Sequence, residues 1–495
     1  MKTEVEIELD ANVRDFLAKP LPNLIGGQAC MTATEEVVNP ADGSVLAEVA
    51  MAGQKEIDLA VTAGAKAFPA WSALPPSERA RLLHKFADAL EKHSAELAQL
   101  ESLDVGKAIT LAEGFDIPFG IACFRYFADL SARAEYSVPL NVTGFEARKW
   151  RVPYGVCGFI FPWNFPFTLF CWNVAPALAA GNTAVVKPSA VTPLSTLYAA
   201  QIALEAGIPP GVLNVVAGVG SGAGAALSSH PRIKRISFTG SPEVGRKIAE
   251  LGGRNLIPCK LELGGKGAAV VFDDVDVDSA ATQLVAAVTM NTGQVCCTAT
   301  RWLVHEKIYD RFVSKAVEAM TQTKIGPGLD RETQMGPLVN QSQRKHVLGY
   351  IDRGAETGAR VIYGGGATAP EGQESGFYVE PTLMEGPDDN VCCREEIFGP
   401  CAYLLRFKDE DSAVTTVNEL AYGLANSVWS ADLVRANRVA ERLVAGNNWI
   451  NAHNLFAYGL PYGGVNISGM GGGVNSPETF YDYLRPQTIA RPLTS

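Results

Sequence analysis

From residue 151 onward the chain alternates short apolar runs with helical segments, and this alternation limits the folds open to it. The apolar runs are rich in β-branched residues and are bounded by Gly, Pro, Ser or Asp; they include GVCGFIF, NTAVVKPS, GVLNVVAG, RISFTGS and GAAVVFDD. Between them lie segments of helical character such as STLYAAQIALEAG and PEVGRKIAELGG. Regular alternation of this kind predicts a parallel sheet with helices on both faces.

A second series of the same kind begins after residue 265. It predicts a helix over 279–291, the strand RWLVHE, a helix over 307–323, a polar loop near 327–345, and the strands RVIYGGG, CAYLLRF and SVWSAD. Residues 55–115 carry apolar residues at helical spacing and predict amphipathic helices. We therefore predict an α/β protein with two doubly wound parallel sheets and a cleft between them.

The remaining segments predict an arm and no membrane span. Two stretches, 136–152 and 478–493, are polar, strand-like and fit neither sheet, which indicates an arm that pairs with another subunit. The N-terminal MKTEVEIELDANVRDF alternates charged and apolar residues like an edge strand and lacks the apolar region of a signal peptide. Residues 154–186 carry no charge, but Pro162 and Pro176 interrupt them, which favours a buried strand, loop and helix. We expect a cytoplasmic protein without a membrane partner.

The charge balance and the cysteines exclude several classes of protein. With 42 basic and 53 acidic residues the net charge is −11, and no basic patch stands out, which argues against nucleic acid as a partner. Ten cysteines include the adjacent pairs Cys296-Cys297 and Cys392-Cys393, a spacing that suits neither a disulfide framework nor a zinc site. We expect free thiols in a reducing compartment and no metal.

Three segments carry residues that suit covalent catalysis on a carbonyl group. Cys296 lies in NTGQVCCTATR, where a loop can present a thiol to a cleft, although a packed core cysteine has the same appearance. Glu262 in LELGGKG is flanked by leucines that favour the neutral acid and suit a general base, or it forms an ion pair. Asn164 in FPWNFPF offers an amide N–H to an oxyanion, or it bonds to local backbone groups.

Six motifs follow one another over most of the chain, in the order PWNFP, VVKPS, FTGS, LELGGK, GQVC and EEIFGP. On these motifs the chain, from about residue 20 to residue 490, resembles the NAD(P)-dependent aldehyde dehydrogenase superfamily. The resemblance implies a Rossmann-like nucleotide-binding domain, a catalytic domain and a β-strand arm that assembles homodimers or homotetramers. It places the first domain in residues 1–130 and 154–264, the second in 265–467, and the arm in 131–153 and 468–495.

The same resemblance assigns the chemistry to three residues. Cys296 attacks the aldehyde to give a thiohemiacetal, whose oxyanion lies between the side-chain amide of Asn164 and the backbone N–H of Cys296. A hydride passes to NAD(P), and Glu262 activates the water that hydrolyses the resulting thioester to the acid. Cys297 is the weaker candidate for the nucleophile.

The cofactor site is implied by the same motifs. The resemblance places Lys187 at the adenosine ribose, Ser241 at the pyrophosphate beside a helix N-terminus, and Glu396 at the nicotinamide ribose. The other cofactor residues that it implies are Gly240, Gly245, Phe398, Trp163 and Leu263. Ala190 stands where many NAD-preferring relatives carry a glutamate for the ribose 2′-hydroxyl, so NAD is expected and NADP is compatible with the site.

The expected substrate is a small aldehyde without a carboxylate. By resemblance, the tunnel to the thiol is lined by Phe165, Leu169, Trp172, Val295, His453 and Phe456. Because this lining is aromatic and apolar and includes no lysine or arginine, an aromatic or medium-chain aliphatic aldehyde is the expected substrate. A quaternary ammonium aldehyde of the betaine type, bound through cation–π contact, is the alternative.

Three other functions stay open at this point. A coenzyme A-acylating semialdehyde dehydrogenase is disfavoured by Glu262, because members that pass the acyl group to coenzyme A tend to lack this base. A catalytically retired structural or binding protein is disfavoured because Cys296, Asn164 and Glu262 are all intact. A cysteine hydrolase needs a histidine partner, and none of the six histidines lies in a motif that suggests one.

Overall fold

Two large sheets form the centre of the fold in the computed structural model, which describes residues 8–493. The first sheet has five parallel strands in its middle and antiparallel strands at both edges. In spatial order its strands are Gly469–Met470, Cys259–Glu262, Arg235–Thr239, Val156–Ile160, Thr183–Lys187, Leu213–Val215, Asn23–Ile25 and Gln28–Cys30. The strand order reverses between Val156–Ile160 and Arg235–Thr239, which makes this sheet doubly wound.

The second sheet has six parallel strands and one antiparallel edge strand, Arg360–Tyr363. In spatial order its strands are Arg360–Tyr363, Thr382–Glu385, Cys401–Phe407, Ala299–His305, Gly267–Val271, Ala425–Trp429 and Asn447–Ile450. On the central strand, Ala268 and Val270 enter one apolar core while Ala269 and Val271 enter the other. Both faces are therefore covered, as a parallel sheet requires, and the predicted two-sheet α/β architecture is confirmed.

Helices cover both sheets, and most of the predicted helices are present. The α-helices are Ala11–Leu17, Gln54–Ala73, Pro76–Lys92, Ser94–Val105, Ile109–Leu111, Ile117–Arg133, Pro166–Ala179, Leu194–Glu205, Ala225–Ser229, Pro242–Arg254, Val277–Thr289, Tyr309–Gln322, Gln341–Glu356, Val391–Arg394, Glu410–Asn418, Leu433–Ala440 and Pro477–Tyr481. The loop predicted near 327–345 ends earlier, because the side chain of Asn340 accepts a hydrogen bond from Gln343 N–H and starts a helix.

The N-terminal edge strand is a second difference from the prediction. Residues 1–7 of that segment lie outside the described residues, and Ala11–Leu17 form a helix that Asp10 caps through a hydrogen bond from Asn12 N–H. The prediction is therefore wrong for the described part. The prediction rested on the alternation of charged and apolar residues and did not treat the aspartate as an N-cap. An aspartate at the N-cap favours the start of a helix.

The uncharged stretch 154–186 forms a buried strand, a loop and a helix, as predicted. Every residue of the helix Pro166–Ala179 is buried, which explains why it carries no polar face. Within residues 8–493, no helix is both long enough and apolar enough to cross a membrane.

Two smaller sheets complete the fold. Strands Thr34–Val38 and Val45–Ala50 form a hairpin, and Leu484–Pro492, Phe145–Pro153 and Ser137–Val142 form an antiparallel three-stranded sheet. Within the range predicted as arm, Gly469–Met470 pairs with the first sheet and Phe480 is buried in the first core. The proposed domain boundaries stay a prediction.

A fully buried ion network joins the helix Ser94–Val105 to the segment that follows it. Lys107 Nζ lies 2.9 Å from Glu101 Oε2 and 3.1 Å from Asp116 Oδ2, and all these side chains are buried. Burial opposes the charge of Lys107, but the two carboxylates raise the pKa of its ammonium group. Glu101 Oε1 also accepts hydrogen bonds from the Phe167 N–H and the Ser195 hydroxyl, in the first turns of two buried helices. The network therefore fixes where these helices begin.

We expect Lys107→Met to destabilise the fold strongly, because it leaves the buried carboxylates without their cation. The loss in the free energy of unfolding should be about 3–5 kcal/mol. Lys247→Met is the matched control, since Lys247 pairs with Glu243 on the surface and its loss should matter far less. Urea unfolding followed by circular dichroism measures both. Equal stabilities of the two variants would contradict the role of the network.

Candidate active site

A cavity of about 320 Å³ opens at the carboxyl ends of the two strands between which the order of the first sheet reverses. Ligands in doubly wound sheets bind at this place, because the connections of the two neighbouring strands diverge there. The loop that leads into the second sheet contributes to the opposite wall of the cavity. Its lining comprises Phe115, Pro162, Trp163, Asn164, Phe165, Thr168, Leu169, Trp172, Thr239, Gly240, Ser241, Leu263, Gly264, Met290, Val295, Cys296, Cys297, Gln343, His346, Glu396, Phe398, Phe456 and Tyr462.

Cys296 is presented by a tight loop that follows the helix Val277–Thr289. Asn291 and Thr292 adopt left-handed backbone conformations, with φ of +48° and +57°. Gly293 follows with φ of +70°, and a Cβ there would lie 2.1 Å from the backbone of Gly399. Only glycine fits this position, and the close approach fixes the loop against the second sheet.

Asn164 and this loop hold each other. The side-chain Nδ2 of Asn164 donates to the carbonyl of Gln294 at 3.0 Å, and the side chain of Asn291 donates to the carbonyl of Asn164 at 2.9 Å. Gln294 in turn accepts a hydrogen bond from Val339 N–H. Asn164 is 3% exposed and lines the cavity together with Cys296. One hydrogen of its amide is engaged by Gln294, which leaves the other free to donate.

The two adjacent cysteines differ sharply in their chemistry. The pKa of Cys296 is lowered to about 7, foremost by the thiol of Cys297 and, against the raising effect of burial, by the hydroxyl of Tyr462. Tyr462 Oη lies 3.3 Å from Cys296 Sγ. Burial raises the pKa of Cys297 well above its usual value, and the Cys297 thiol donates to Asn454 Oδ1 at 3.4 Å. Near neutral pH, therefore, the thiolate of the pair resides on Cys296.

Glu262 ends the strand Cys259–Glu262 in a dry environment. Its side chain is 7% exposed, and neither carboxylate oxygen has a hydrogen-bond partner among the described residues. Burial raises its pKa well above the usual value; Lys260 opposes this, and negative charge on Cys296 adds to it. A Cβ on Gly463 would lie 3.1 Å from Glu262 Oε1, so a glycine gives the carboxyl group its space.

On the other side of the cavity, a helix N-terminus and close glycines form an open surface. Ser241 caps the helix Pro242–Arg254 by accepting a hydrogen bond from Val244 N–H. A Cβ on Gly245 would lie 2.6 Å from Leu263 Cδ2, so Leu263 packs directly on the first turn of this helix. Gly240 N–H donates to the carbonyl of Glu262, which joins this surface to the carboxylate strand.

Of the two charged residues on this side, Lys187 is buried and Glu396 is partly buried. Lys187 Nζ donates to the carbonyls of Pro188 and Gly218 at 2.7 and 3.0 Å, and burial lowers its pKa to about 8. Glu396 accepts a hydrogen bond from Gly265 N–H at 2.9 Å, and burial raises its pKa to about 8.

The two predicted aromatic residues on this side, Trp163 and Phe398, meet edge to face at the mouth of the cavity. Their ring centroids are 5.2 Å apart. Lys187, Gly245 and Glu262 are not among the lining residues of the cavity. The predicted cofactor residues that do line it are Ser241, Gly240, Leu263, Glu396, Trp163 and Phe398.

Five of the six predicted tunnel residues line the cavity, namely Phe165, Leu169, Trp172, Val295 and Phe456. His453 does not, which corrects the prediction for this residue. Its Nε2 lies 2.8 Å from the carbonyl of Cys297 and its Nδ1 lies 3.0 Å from the hydroxyl of Ser427. Burial lowers its pKa to about 4. Because protein groups occupy both ring nitrogens, the imidazole supports the thiol loop instead of facing the cavity.

The sequence reasoning missed several residues that line the cavity: Phe115, Thr168, Thr239, Met290, Gln343, His346 and Tyr462. Tyr462 is the most important of them, because its hydroxyl contacts the thiol of Cys296, the predicted nucleophile. The aromatic residue beside the paired glycines of LPYGG was the available signal, but no pattern in the sequence links it to Cys296, which lies 166 residues away. Within residues 8–493, no three His, Cys, Asp or Glu side chains gather as a metal site.

The chain is similar over nearly its whole length to proteins of stated activity. A sequence model of the Aldehyde dehydrogenase family matches residues 28–489. A mitochondrial aldehyde dehydrogenase of Leishmania tarentolae is 39% identical over 489 residues, 98% of this chain and 97% of the relative. A betaine aldehyde dehydrogenase of Mesorhizobium japonicum is 42% identical over 436 residues, 88% and 89% of the two chains. The NAD⁺ complex of a Bacillus cereus aldehyde dehydrogenase matches with a TM-score of 0.96 at 36% identity, over 98% of this chain and 99% of that one.

Proposed function

The chain belongs to the aldehyde dehydrogenase family of NAD(P)-dependent oxidoreductases, and we propose that it oxidises an aromatic or medium-chain aliphatic aldehyde to its carboxylic acid through a thioester on Cys296. The observation that supports this most is the cavity itself. A thiol with a lowered pKa, the amide of Asn164 and an uncharged aromatic wall share its surface with the helix end at Ser241. This combination suits acyl chemistry on a carbonyl group next to a bound dinucleotide.

The first step is addition of the thiol to the aldehyde. The Cys296 thiolate attacks the carbonyl carbon, a carbon–sulfur bond forms, and the carbonyl π electrons move to oxygen. The free amide hydrogen of Asn164 and the backbone N–H of Cys296 are the donors proposed for this oxyanion. Because the loop hydrogen bonds already fix Asn164, the donor needs no rearrangement during the reaction, which is where such stabilisation is most effective.

The residues on the opposite wall fit a nicotinamide dinucleotide. Gly264 leaves room for Glu396, since a Cβ there would lie 2.1 Å from Glu396 Oε2, and the cap at Ser241 directs backbone N–H groups towards an anion. We propose that Glu396 and Lys187 bind the two riboses and that Ser241 faces the pyrophosphate. When bound, the nicotinamide supplies the hydride acceptor that turns the thiohemiacetal into a thioester. NAD is the proposed cofactor, and Ala190 leaves NADP compatible with the site.

The second step is hydrolysis of the thioester, for which Glu262 is the proposed general base. In the resting enzyme burial raises the pKa of the carboxyl group, and negative charge on Cys296 raises it further, so both favour the protonated form. Once Cys296 is acylated it carries no charge, and its contribution to the high pKa of Glu262 disappears. The carboxyl group then ionises more readily and can take a proton from the attacking water. Glu262 therefore becomes a base in the step that needs one.

The lining supports the proposed substrate class. Phe165, Trp172, Phe456 and Leu169 form an apolar wall, and no lysine or arginine is among the cavity residues within the described part of the chain. A second candidate is a quaternary ammonium aldehyde, which the aromatic rings and the similarity to a betaine aldehyde dehydrogenase favour.

The three-stranded sheet supports an assembly of identical subunits. Its outer strand Leu484–Pro492 pairs on one side with Phe145–Pro153 and has no partner on the other among the described strands. Val142, Phe145 and Ile489 on this sheet are between 46% and 57% exposed. Exposed apolar side chains on a free strand edge favour pairing with another chain. We propose a homodimer or homotetramer that uses this arm.

The proposed activity is tested with purified protein and a panel of aromatic, aliphatic, quaternary ammonium and carboxylated aldehydes. Formation of NADH or NADPH is followed without coenzyme A, with NAD and NADP in parallel. We expect the highest kcat/KM with an aromatic or medium-chain aldehyde and none with Cys296→Ala. Activity that survives in Cys296→Ala, or that requires coenzyme A, would contradict the proposal. Preference for the quaternary ammonium aldehyde would favour the second candidate.

Asn164→Ala should lower kcat by about 10²–10³-fold, since it removes one donor to the oxyanion. Asn164→Asp is the companion variant, because it keeps the shape of the side chain but has no N–H. Circular dichroism checks that both variants fold. Normal turnover in either folded variant would exclude Asn164 as the donor.

Glu262→Gln should separate the two steps. We expect a burst of about one NADH per active site, followed by slow turnover, because the thioester forms but its hydrolysis lacks the base. Rapid mixing measures the burst, and mass spectrometry of the quenched protein detects the acyl group on Cys296. A slow first turnover without a burst would place Glu262 in the earlier step instead.

A further inference from the structure

We propose that the hydroxyl of Tyr462 is a catalytic group that donates a hydrogen bond to the Cys296 thiolate and keeps the resting enzyme in its reactive, deprotonated form. This inference rests on the proposed function, in which Cys296 is the nucleophile. It adds Tyr462 to the three residues to which the sequence motifs assign the chemistry, Cys296, Asn164 and Glu262. The argument starts from the 3.3 Å between Tyr462 Oη and Cys296 Sγ.

The position of Tyr462 is fixed from two sides. Its backbone N–H donates to the carbonyl of Val474 at 3.0 Å, and Val474 N–H donates back at 2.7 Å. Its ring packs against both Trp172 and Phe456, with centroid distances of 5.6 and 5.4 Å, and these two rings also contact each other at 5.8 Å. The residue is 5% exposed. A ring held in this way cannot turn its hydroxyl towards solvent without disrupting the aromatic wall, so the contact with the thiol belongs to the packed structure.

The direction of the hydrogen bond follows from the environment. Burial raises the pKa of Tyr462 well above its usual value, and negative charge on Cys296 adds to this, so the phenol keeps its proton. The pKa of Cys296 is lowered to about 7, foremost by the Cys297 thiol and then, against the raising effect of burial, by the Tyr462 hydroxyl. The phenol is therefore the donor and the sulfur the acceptor. Hydrogen bonds to a charged acceptor are about twice as strong as those between neutral groups.

The backbone that follows Tyr462 also lies close to the carboxyl group of the proposed base, Glu262. A Cβ on Gly463 would lie 3.1 Å from Glu262 Oε1 and 2.9 Å from the Cα of Gly473. The tyrosine side chain thus reaches the nucleophile while the following glycine contacts the general base. One short segment therefore positions both groups. The hydroxyl of its tyrosine can act on the thiol directly, and no other helix or strand is needed for the contact.

The acylated enzyme gives the hydroxyl a different environment. Once sulfur is bound to the acyl carbon it carries no charge and is a weak acceptor, so the stabilisation from Tyr462 is confined to the thiolate. A phenylalanine would fill the same space against Trp172 and Phe456 but could not donate. Tyr462→Phe therefore removes the proposed function and preserves the packing.

The test measures the reactivity of Cys296 with iodoacetamide, without aldehyde or cofactor. The thiolate displaces iodide, a carbon–sulfur bond forms, and tandem mass spectrometry assigns the label to Cys296 or Cys297 at each pH from 5.5 to about 9.5. For Tyr462→Phe we expect the midpoint of labelling to rise by about one pH unit. Labelling at pH 6 should be about tenfold slower and labelling above pH 9 about unchanged. The ascending limb of the kcat/KM profile should shift in the same direction.

Tyr458→Phe is the matched control. Tyr458 stacks on Phe119 in the neighbouring aromatic cluster, but its hydroxyl donates to the carbonyl of Phe119, and the thiol next to it is that of Cys123 and not that of Cys296. We expect its labelling profile to match the unmodified enzyme, and circular dichroism checks that both variants fold. A Tyr462→Phe profile that superimposes on the unmodified one, or a shift of the same size in Tyr458→Phe, would overturn the inference.

Failure of the inference and failure of the proposed function have different signatures. If Cys296 is not the nucleophile, Cys296→Ala keeps its dehydrogenase activity whatever the labelling shows. If Tyr462 does not act on the thiolate, Cys296→Ala is inactive but the labelling midpoint of Tyr462→Phe stays in place. The labelling assay therefore tests the hydrogen bond independently of turnover.

Discussion

The site depends on the pair of hydrogen bonds between Asn164 and the loop 291–294. Asn164 follows the strand Val156–Ile160 of the first sheet, and the loop precedes Ala299–His305 of the second. Their reciprocal bonds, Asn164 to Gln294 and Asn291 to Asn164, join the two halves of the fold at the cavity. Buried polar groups require such partners, so neither segment can move without leaving them unsatisfied. The position of the thiol is thereby fixed by both sheets.

The charged groups around this junction are kept in unusual states by burial. Within the described residues, Glu262 lacks hydrogen-bond partners for its carboxylate, and the ammonium group of Lys187 donates only to backbone carbonyls. Such groups oppose stability, and the large apolar cores around the two sheets offset them. The lowered pKa of Cys296 and the raised pKa of Glu262 suit the proposed reaction, which needs a thiolate first and a carboxylate base later. Strained backbone at Asn291 and Thr292 lies in the same place, consistent with the concentration of strain at functional sites.

The regular part of the fold was predictable because its signals are local. Short apolar runs, helix caps and helix-breaking residues in the sequence predict strands such as Thr183–Lys187 and helices such as Pro242–Arg254. The helix Ala11–Leu17 was missed because alternation was given more weight than the cap at Asp10. His453 and Tyr462 illustrate the limit of this reasoning. Both are close to the cysteine pair in space, but which one faces the cavity depends on contacts with residues more than 150 positions away.

The sequence by itself determined the two-sheet architecture and the family, and it predicted the proposed reacting groups, because apolar periodicity and ordered motifs are properties of the chain. Only the tertiary structure decided which groups meet. Folding brings Tyr462 to Cys296, gives the carboxylate of Glu262 no hydrogen-bond partner among residues 8–493, and directs both nitrogens of His453 to the protein. The physical reason is that hydrogen-bond partners and local polarity depend on the packing of distant segments. The chemical state of each side chain is set by that packing and not by its neighbours along the chain.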